Sequence, residues 1–165
     1  MKVIGKHRQS FRLIRSLAVI THALDLSGEE LFLSGTYAKK RKTTKRIYDE
    51  LLSTNLLHLA VAIRTNLYQN TLQLPEMNIS HCGFLNLIID GKEKTVRFSF
   101  KDVCDKIIHA DEIYRQLFES RGSGRATTVI NGSRKKGKEK WKLSVSIQLF
   151  CEAVLNWLDE VERKK

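Results

Sequence analysis

The chain has 165 residues, 42% of them hydrophobic, and a formal net charge of +11. This size suits one domain with its own core, and the excess of Lys and Arg favours a polyanionic partner, nucleic acid before an anionic membrane surface. Three widely spaced cysteines without a CxxC pair argue against a disulfide framework and a zinc knuckle. No apolar run approaches the ~20 residues that span a membrane. We therefore expect a cytoplasmic protein that does not contact membranes.

The first half of the chain predicts two helices. Residues 10–24 carry apolar side chains at helical spacing, with Ser10 as the candidate N-cap. The segment Asp25–Gly28 predicts a break. A long helix is expected from about residue 36 to residue 70, polar in its first half and apolar in its second.

The second half adds two hairpins and two helices. Alternating residues 84–90 and 95–99 predict a hairpin around Asp90-Gly91, and Ser99 then begins a helix that is expected to continue through Leu117. A second hairpin is predicted from 127–131 to 141–146, and an amphipathic helix over 146–162. Segments 120–126 and 133–140 are flexible by composition. The predicted fold is mainly α: one domain over residues 1–165, a bundle of four or five helices with two short β-hairpins.

Residues 104–109 hold the candidate chemistry. Asp105 and His109 are four positions apart, so on a helix their side chains share one face, where a carboxylate orients an imidazole for acid–base chemistry. Lys106 lies on an adjacent strip of the same helix and is placed to neutralise a phosphate. A surface salt bridge between Asp105 and His109 is the alternative interpretation.

This segment resembles the motif of the HEPN superfamily, small helical domains that include many RNases of toxin–antitoxin and phage-defence systems. The motif is an Arg, usually followed by a polar residue, with a His about five positions after the Arg. Asp105 and His109 match the polar residue and the His, whereas Cys104 stands where the Arg belongs. The resemblance implies a helical bundle, a homodimer with one cleft between two motifs, and an antitoxin or defence-system partner protein.

The missing arginine leaves the transition-state cation to another residue. Arg64 is the first candidate, because it interrupts an apolar helical face and must find a partner, reach water or face a cleft. An ion pair with a nearby carboxylate is the alternative. Lys101 and Lys106 are further candidates. Cys104 itself is interpreted as a small buried residue, since its angle to His109 on the helix does not suit a Cys–His dyad.

In such an RNase one group deprotonates the ribose 2′-hydroxyl, a cation stabilises the phosphorane, and an acid protonates the leaving 5′-oxygen. The candidate catalytic residues are His109, Asp105, Arg64 and Lys106. We expect no metal and no cofactor, because the sequence has no His/Asp/Glu cluster at ligand spacing.

Two basic clusters are the candidate nucleic-acid surface. Cations at the start of a helix oppose the helix dipole, a conflict that a phosphate backbone relieves, although a solvated face is the alternative. Trp141 beside the second cluster either stacks on a base or packs inside its hairpin. The residues of the two clusters are Lys39, Lys40, Arg41, Lys42, Lys45, Arg46, Arg134, Lys135, Lys136 and Lys138.

Three functions are consistent with these features. The leading prediction is an RNA-directed HEPN-like domain, acting as a metal-independent endoribonuclease of a toxin–antitoxin or phage-defence system. The second is a non-catalytic nucleic-acid-binding or regulatory subunit of such a system. The third is a structural homo-oligomer whose charge only keeps it dissolved.

Overall fold

Four helices and five strands make up the described part of the protein. The computed structural model describes residues 10–33, 42–69, 82–89, 91–96, 98–116, 127–134 and 139–163. In chain order the elements are α1 Phe11–Leu33, α2 Lys42–Gln69, β1 Gly83–Ile89, β2 Lys92–Val96, α3 Phe100–Ile108, β3 Glu112–Gln116, β4 Thr127–Arg134, β5 Glu139–Val145 and α4 Ile147–Arg163.

The five strands form one antiparallel sheet in the order β2-β1-β5-β4-β3. The central strand, β5, joins the two hairpins, since Leu143 lies opposite Leu85 of β1 on one side and Ile130 of β4 on the other. These three side chains are buried in one hydrophobic core with residues of all four helices. One face of the sheet therefore carries the helices.

The expected mainly α bundle with two short hairpins is wrong. The two predicted hairpins exist, but they are edge-to-edge parts of one continuous sheet, and the fold is mixed α/β. The helix after Ser99 ends at Ile108, and Ile113 lies in strand β3, opposite Ile130 of β4. The spacing of apolar residues near Ile113 suits a helix locally, but pairing with β4 satisfies the backbone of this segment instead.

The expected break at Asp25–Gly28 is also wrong, because α1 continues through it. Asp25 is buried and forms an ion pair of 2.9 Å with Arg115 of β3, a residue 90 positions away. Gly28 lies so close to the Tyr48 ring of α2 that an added Cβ would collide with it. The glycine therefore serves the packing of α1 on α2 and does not end the helix.

The remaining expectations have mixed outcomes. The long helix is confirmed over its described part, α2, whereas residues 36–41 of the expected range lie outside the described residues. The closing helix α4 and the turn at Gly91, which has a φ of 75°, are confirmed as well. Segment 120–126 lies outside the described residues. Within segment 133–140, Ser133 and Arg134 end β4 and Glu139 and Lys140 begin β5, whereas 135–138 lie outside. Among the described helices none has the length and apolar character needed to cross a bilayer. The assignment of one domain stays a prediction.

Candidate functional site

Helix α3 positions the candidate residues, and its start is fixed locally. The Ser99 side chain accepts from the backbone N–H of Asp102, and the Asp102 carboxylate accepts from the backbone N–H of Ser99 at 2.8 Å. This capping box confirms the predicted N-terminus and satisfies donors that the first turn leaves open. Val103 and Ile107 anchor the helix in the core. Lys106, on a neighbouring strip of α3, packs over the Trp141 ring of β5, whereas Asp105 contacts Arg64 of α2.

His109 is the C-cap of α3 and not part of its last turn. Its backbone has φ −105° and ψ 24°, its N–H donates to the Asp105 carbonyl at 3.1 Å, and its side chain is exposed. The contacts described for the Asp105 carboxylate are with Arg64 of α2 and not with His109. Asp105 and His109 nevertheless line the same hollow.

This hollow has a volume of about 550 Å³ and lies between the end of α3 and the β4–β5 hairpin. Its wall mixes three groups that carry or can carry positive charge, Lys106, His109 and Arg134, with carboxylates. Asp111 is held in place by the Ser133 hydroxyl, which donates to it at 2.9 Å. The lining residues that matter chemically are Asp105, Lys106, His109, Asp111, Arg134 and Trp141.

Lys106 is the most unusual residue of the hollow. Only 5% of it is exposed, its Nζ lies 4.3 Å from the centre of the Trp141 ring, and within the described residues Nζ has no hydrogen-bond partner. Burial lowers the pKa of the ammonium to about 8, with a further lowering from Arg134, whereas Asp102 and Asp105 act in the opposite direction. Lys106 is thus a cation that the described protein leaves without a hydrogen-bonding oxygen.

The Arg64 side chain contacts Asp105 and Tyr68. Its Nε lies 2.6 Å from Asp105 Oδ1, its Nη2 donates to the Tyr68 hydroxyl at 2.6 Å, and its guanidinium stacks 4.2 Å from the centre of the Tyr68 ring. This arrangement is the ion pair that the sequence left open as the alternative. It ties α2 to α3, and Arg64 is not among the residues that line the hollow.

The first basic cluster is described only in part. Lys39, Lys40 and Arg41 lie outside the described residues, as does the side chain of Lys42. Lys45 pairs with Asp49 at 2.6 Å and Arg46 with Glu50 at 3.7 Å, each within one turn of α2. Two cations of this cluster are therefore partly neutralised on their own helix, and its role in binding stays a prediction.

The second basic cluster contributes Arg134 to the hollow. Arg134 is exposed at the end of β4, whereas Lys135, Lys136 and Lys138 lie outside the described residues. Trp141 is only 3% exposed and packs in the hydrophobic core, which agrees with the alternative interpretation. Its ring is therefore not available to stack on a base. Gly132 lies opposite it, and an added Cβ there would collide with the indole ring.

The cysteines fit the expectation of a small buried residue. Cys104 is fully buried and burial raises its pKa far above the usual range, which leaves almost no thiolate for nucleophilic chemistry. Cys82 and Cys151 are buried and free as well. In the part of the chain that is described, no group of three His, Cys, Asp or Glu side chains is arranged to hold a metal ion.

Two features of the site were missed from the sequence. The spacing of apolar residues predicts that Asp111 belongs to a continuing helix, and composition groups Arg134 only with a surface loop. Ala110 and Asp111 lie between the amphipathic α3 and Ile113, a β-branched residue of β3. This change of pattern is the local signal that could have located Asp111. Nothing local indicates that Arg134 and Lys106 meet, because strand pairing across the sheet brings them together.

The chain was compared with models of known protein families, with curated proteins and with solved structures, and it matches none of them.

Proposed function

We propose that the protein binds RNA and cleaves it without a metal ion, with the scissile phosphate in the hollow between α3 and the β4–β5 hairpin. One observation carries the proposal: Lys106, a buried cation without a described hydrogen-bond partner, lines the same hollow as His109 and Arg134. A buried ammonium without an acceptor costs folding free energy, and a phosphate oxygen that enters the hollow supplies that acceptor.

The residues divide the chemistry as follows. A base removes the proton of the ribose 2′-hydroxyl, the 2′-oxygen attacks phosphorus, and the 5′-oxygen leaves with a proton, which gives a 2′,3′-cyclic phosphate and a 5′-hydroxyl. His109 is the acid–base group, and Lys106 and Arg134 stabilise the charge of the phosphorane. Arg64, the first candidate for this cation, instead holds Asp105 and with it the α2–α3 contact.

A homodimer would supply the second histidine that such a mechanism uses, as the HEPN resemblance implies. The exposed face of α2 supports a dimer, since Val61 and Tyr68 are 43% and 74% exposed. Exposed apolar side chains along one helix are typical of surfaces that meet another protein. The resemblance, the dimer and a partner protein from a toxin–antitoxin or defence system all stay predictions. The buried, free cysteines are in keeping with a reducing cytoplasm.

A non-catalytic RNA-binding protein is the second candidate, and one observation favours it. Cys104 replaces the motif arginine, and the charge of Arg64 is already paired with Asp105. A hollow with two cations and an exposed histidine can hold a phosphate without cleaving it. The two functions therefore share a binding site and differ only in whether His109 transfers protons.

Cleavage of an end-labelled single-stranded RNA in excess EDTA tests the proposal. We expect products that end in a 2′,3′-cyclic phosphate, and a loss of about 100- to 10,000-fold in rate for His109→Ala, the usual effect of removing an acid–base group. His58→Ala is the matched control, because His58 is also exposed but lies on α2 and outside the hollow. Cleavage by His109→Ala at the wild-type rate would overturn the mechanism, and binding without cleavage by the wild type would establish the second candidate.

Binding is tested separately with Lys106→Met and Arg134→Gln. Each removes one charge from the hollow, so we expect weaker RNA binding and a shallower dependence of affinity on salt. Lys101→Met is the control for the first variant, since Lys101 is exposed on the same helix. An equal loss in Lys101→Met would mean that general charge, and not the hollow, carries the binding.

A further inference from the structure

A second cavity lies directly beside the hollow. This groove has a volume of about 310 Å³ and runs between α2 and the segment that connects α3 to β3. Its walls are Thr54 and Leu57 on one side and Ile107, Ile108 and Ile113 on the other. Ala110 and Asp111 line both cavities, so the groove and the hollow are separated only by this two-residue connection.

We propose that the groove is a nucleobase subsite: it holds the base of the nucleotide whose phosphate occupies the hollow, and it prefers adenine and cytosine to uracil. The inference rests on the proposed function for the identity of the ligand in the hollow. It adds a source of sequence preference, which the hollow alone does not offer, because phosphate contacts carry no base information.

The size of the groove and the aliphatic side chains in its walls fit a planar base. Its volume falls at the lower end of the range of about 300–1,000 Å³ that is usual for small-molecule sites. Leu57 is 38% exposed although it faces the groove, and Ile108 and Ile113 are only half-buried. A base lying between these side chains removes apolar surface from water on both of its faces.

Two exposed acidic side chains that line the groove set the preference. Asp111 and Glu112 contribute carboxylates, which accept hydrogen bonds and cannot donate them when ionised. In the described contacts each uses one oxygen: Asp111 Oδ2 accepts from Ser133 at 2.9 Å and Glu112 Oε2 accepts from Asn131 at 3.3 Å. The other oxygens suit the exocyclic amino groups of adenine and cytosine, whereas uracil presents a carbonyl oxygen at that position.

Calorimetric titration of the full chain with four small probes tests the subsite. Adenosine 5′-monophosphate and ribose 5-phosphate differ only by the base, so we expect the first to bind at least about tenfold more tightly, with uridine 5′-monophosphate between them. Leu57→Trp fills the groove and should cut the advantage of the adenine nucleotide to less than about threefold, with ribose 5-phosphate unaffected. Leu51→Trp is the matched control, since Leu51 is exposed on the same helix and outside the groove.

The fourth probe, adenosine, separates the subsite from the phosphate site. Adenosine binding that Leu57→Trp abolishes and Leu51→Trp preserves supports the groove even where neither phosphate compound binds, a result that would remove the phosphate site alone. Equal affinity for adenosine 5′-monophosphate and ribose 5-phosphate would overturn the subsite and leave the hollow standing. An equal loss in both tryptophan variants would also overturn it.

Discussion

Two buried cations of this protein have opposite surroundings. The Arg115 side chain is 2% exposed, and its Nη1 donates to the Asp25 carboxylate, the Asp25 carbonyl and the Tyr48 hydroxyl, so that it joins β3, α1 and α2. Lys106 is equally buried as a residue, but its Nζ lies against the Trp141 ring and has no hydrogen-bond partner among the described residues, and Lys106 lines the hollow. Arg115 joins three elements through its hydrogen bonds, whereas the ammonium of Lys106 has no hydrogen-bonding oxygen among the described residues.

Breaking the Arg115 cluster should have the largest effect on stability. Asp25→Ala leaves a buried guanidinium without its counter-charge, and the expected loss is about 3–5 kcal/mol of unfolding free energy. Urea denaturation measures it. Asp49→Ala is the control, because Asp49 pairs with Lys45 at the surface of α2 and such pairs contribute less than about 1 kcal/mol. A similar small loss for both variants would mean that the cluster is not what holds α1 to β3.

Removing the Lys106 charge should raise the unfolding free energy, in contrast to the loss expected for Asp25→Ala. The lowering of its pKa from 10.5 to about 8 corresponds to roughly 3 kcal/mol against the charged folded state. The contact with Trp141 offsets part of this, so Lys106→Met is expected to raise the unfolding free energy by about 1–3 kcal/mol while it weakens RNA binding. Lys101→Met should change stability by less than about 0.5 kcal/mol. A lower unfolding free energy for Lys106→Met would mean that Lys106, like Arg115, is a structural cation.

The lowered pKa of Lys106 also predicts how the stability difference between the wild type and Lys106→Met depends on pH. The folded state binds fewer protons than the unfolded state between about pH 8 and pH 10.5, so the Lys106 contribution to unfolding free energy rises with pH across that window. The gain in unfolding free energy of Lys106→Met over the wild type should therefore be complete below about pH 8 and mostly lost by about pH 10. Denaturation of both proteins at the two pH values measures it, and an advantage that does not change with pH would contradict a buried ammonium.

The Arg64–Asp105 pair lies between these two cases, and its expected effect is the smallest. Arg64 is mostly buried, but 30% of the Asp105 side chain is exposed, so solvent screens the pair. A double-mutant cycle with Arg64→Met and Asp105→Asn should give a coupling energy of about 1 kcal/mol. A coupling near zero would mean that the Tyr68 contacts, and not the ion pair, hold the arginine.

The sequence predicts the elements whose causes are local. The capping box at Ser99, the turn at Gly91 and the amphipathic α4 are confirmed because each depends on residues within a few positions of one another. Asp25 was misinterpreted as part of a break for the converse reason, since its partner Arg115 is distant in the chain. Strand β3 was missed because its pairing with β4 is not visible in its own pattern of side chains.

The candidate site divides in the same way. Lys106 and His109 were selected from their positions on one predicted helix, and both line the hollow. Their surroundings could not be predicted, because Trp141 and Arg134 reach them only through the pairing of β4 with β5. The burial of Lys106, on which the proposed function depends, is a property of the sheet and not of α3.

The position of β5 has a consequence for how the protein is made. Of the five described strands this one is synthesised last, yet within the described sheet it is the strand that joins β1 to β4. A growing chain on the ribosome therefore cannot complete the sheet until residues 139–145 have emerged, and the indole beneath Lys106 arrives at the same late moment. The hollow between α3 and the β4–β5 hairpin is therefore assembled only once this late strand has joined the two halves of the sheet.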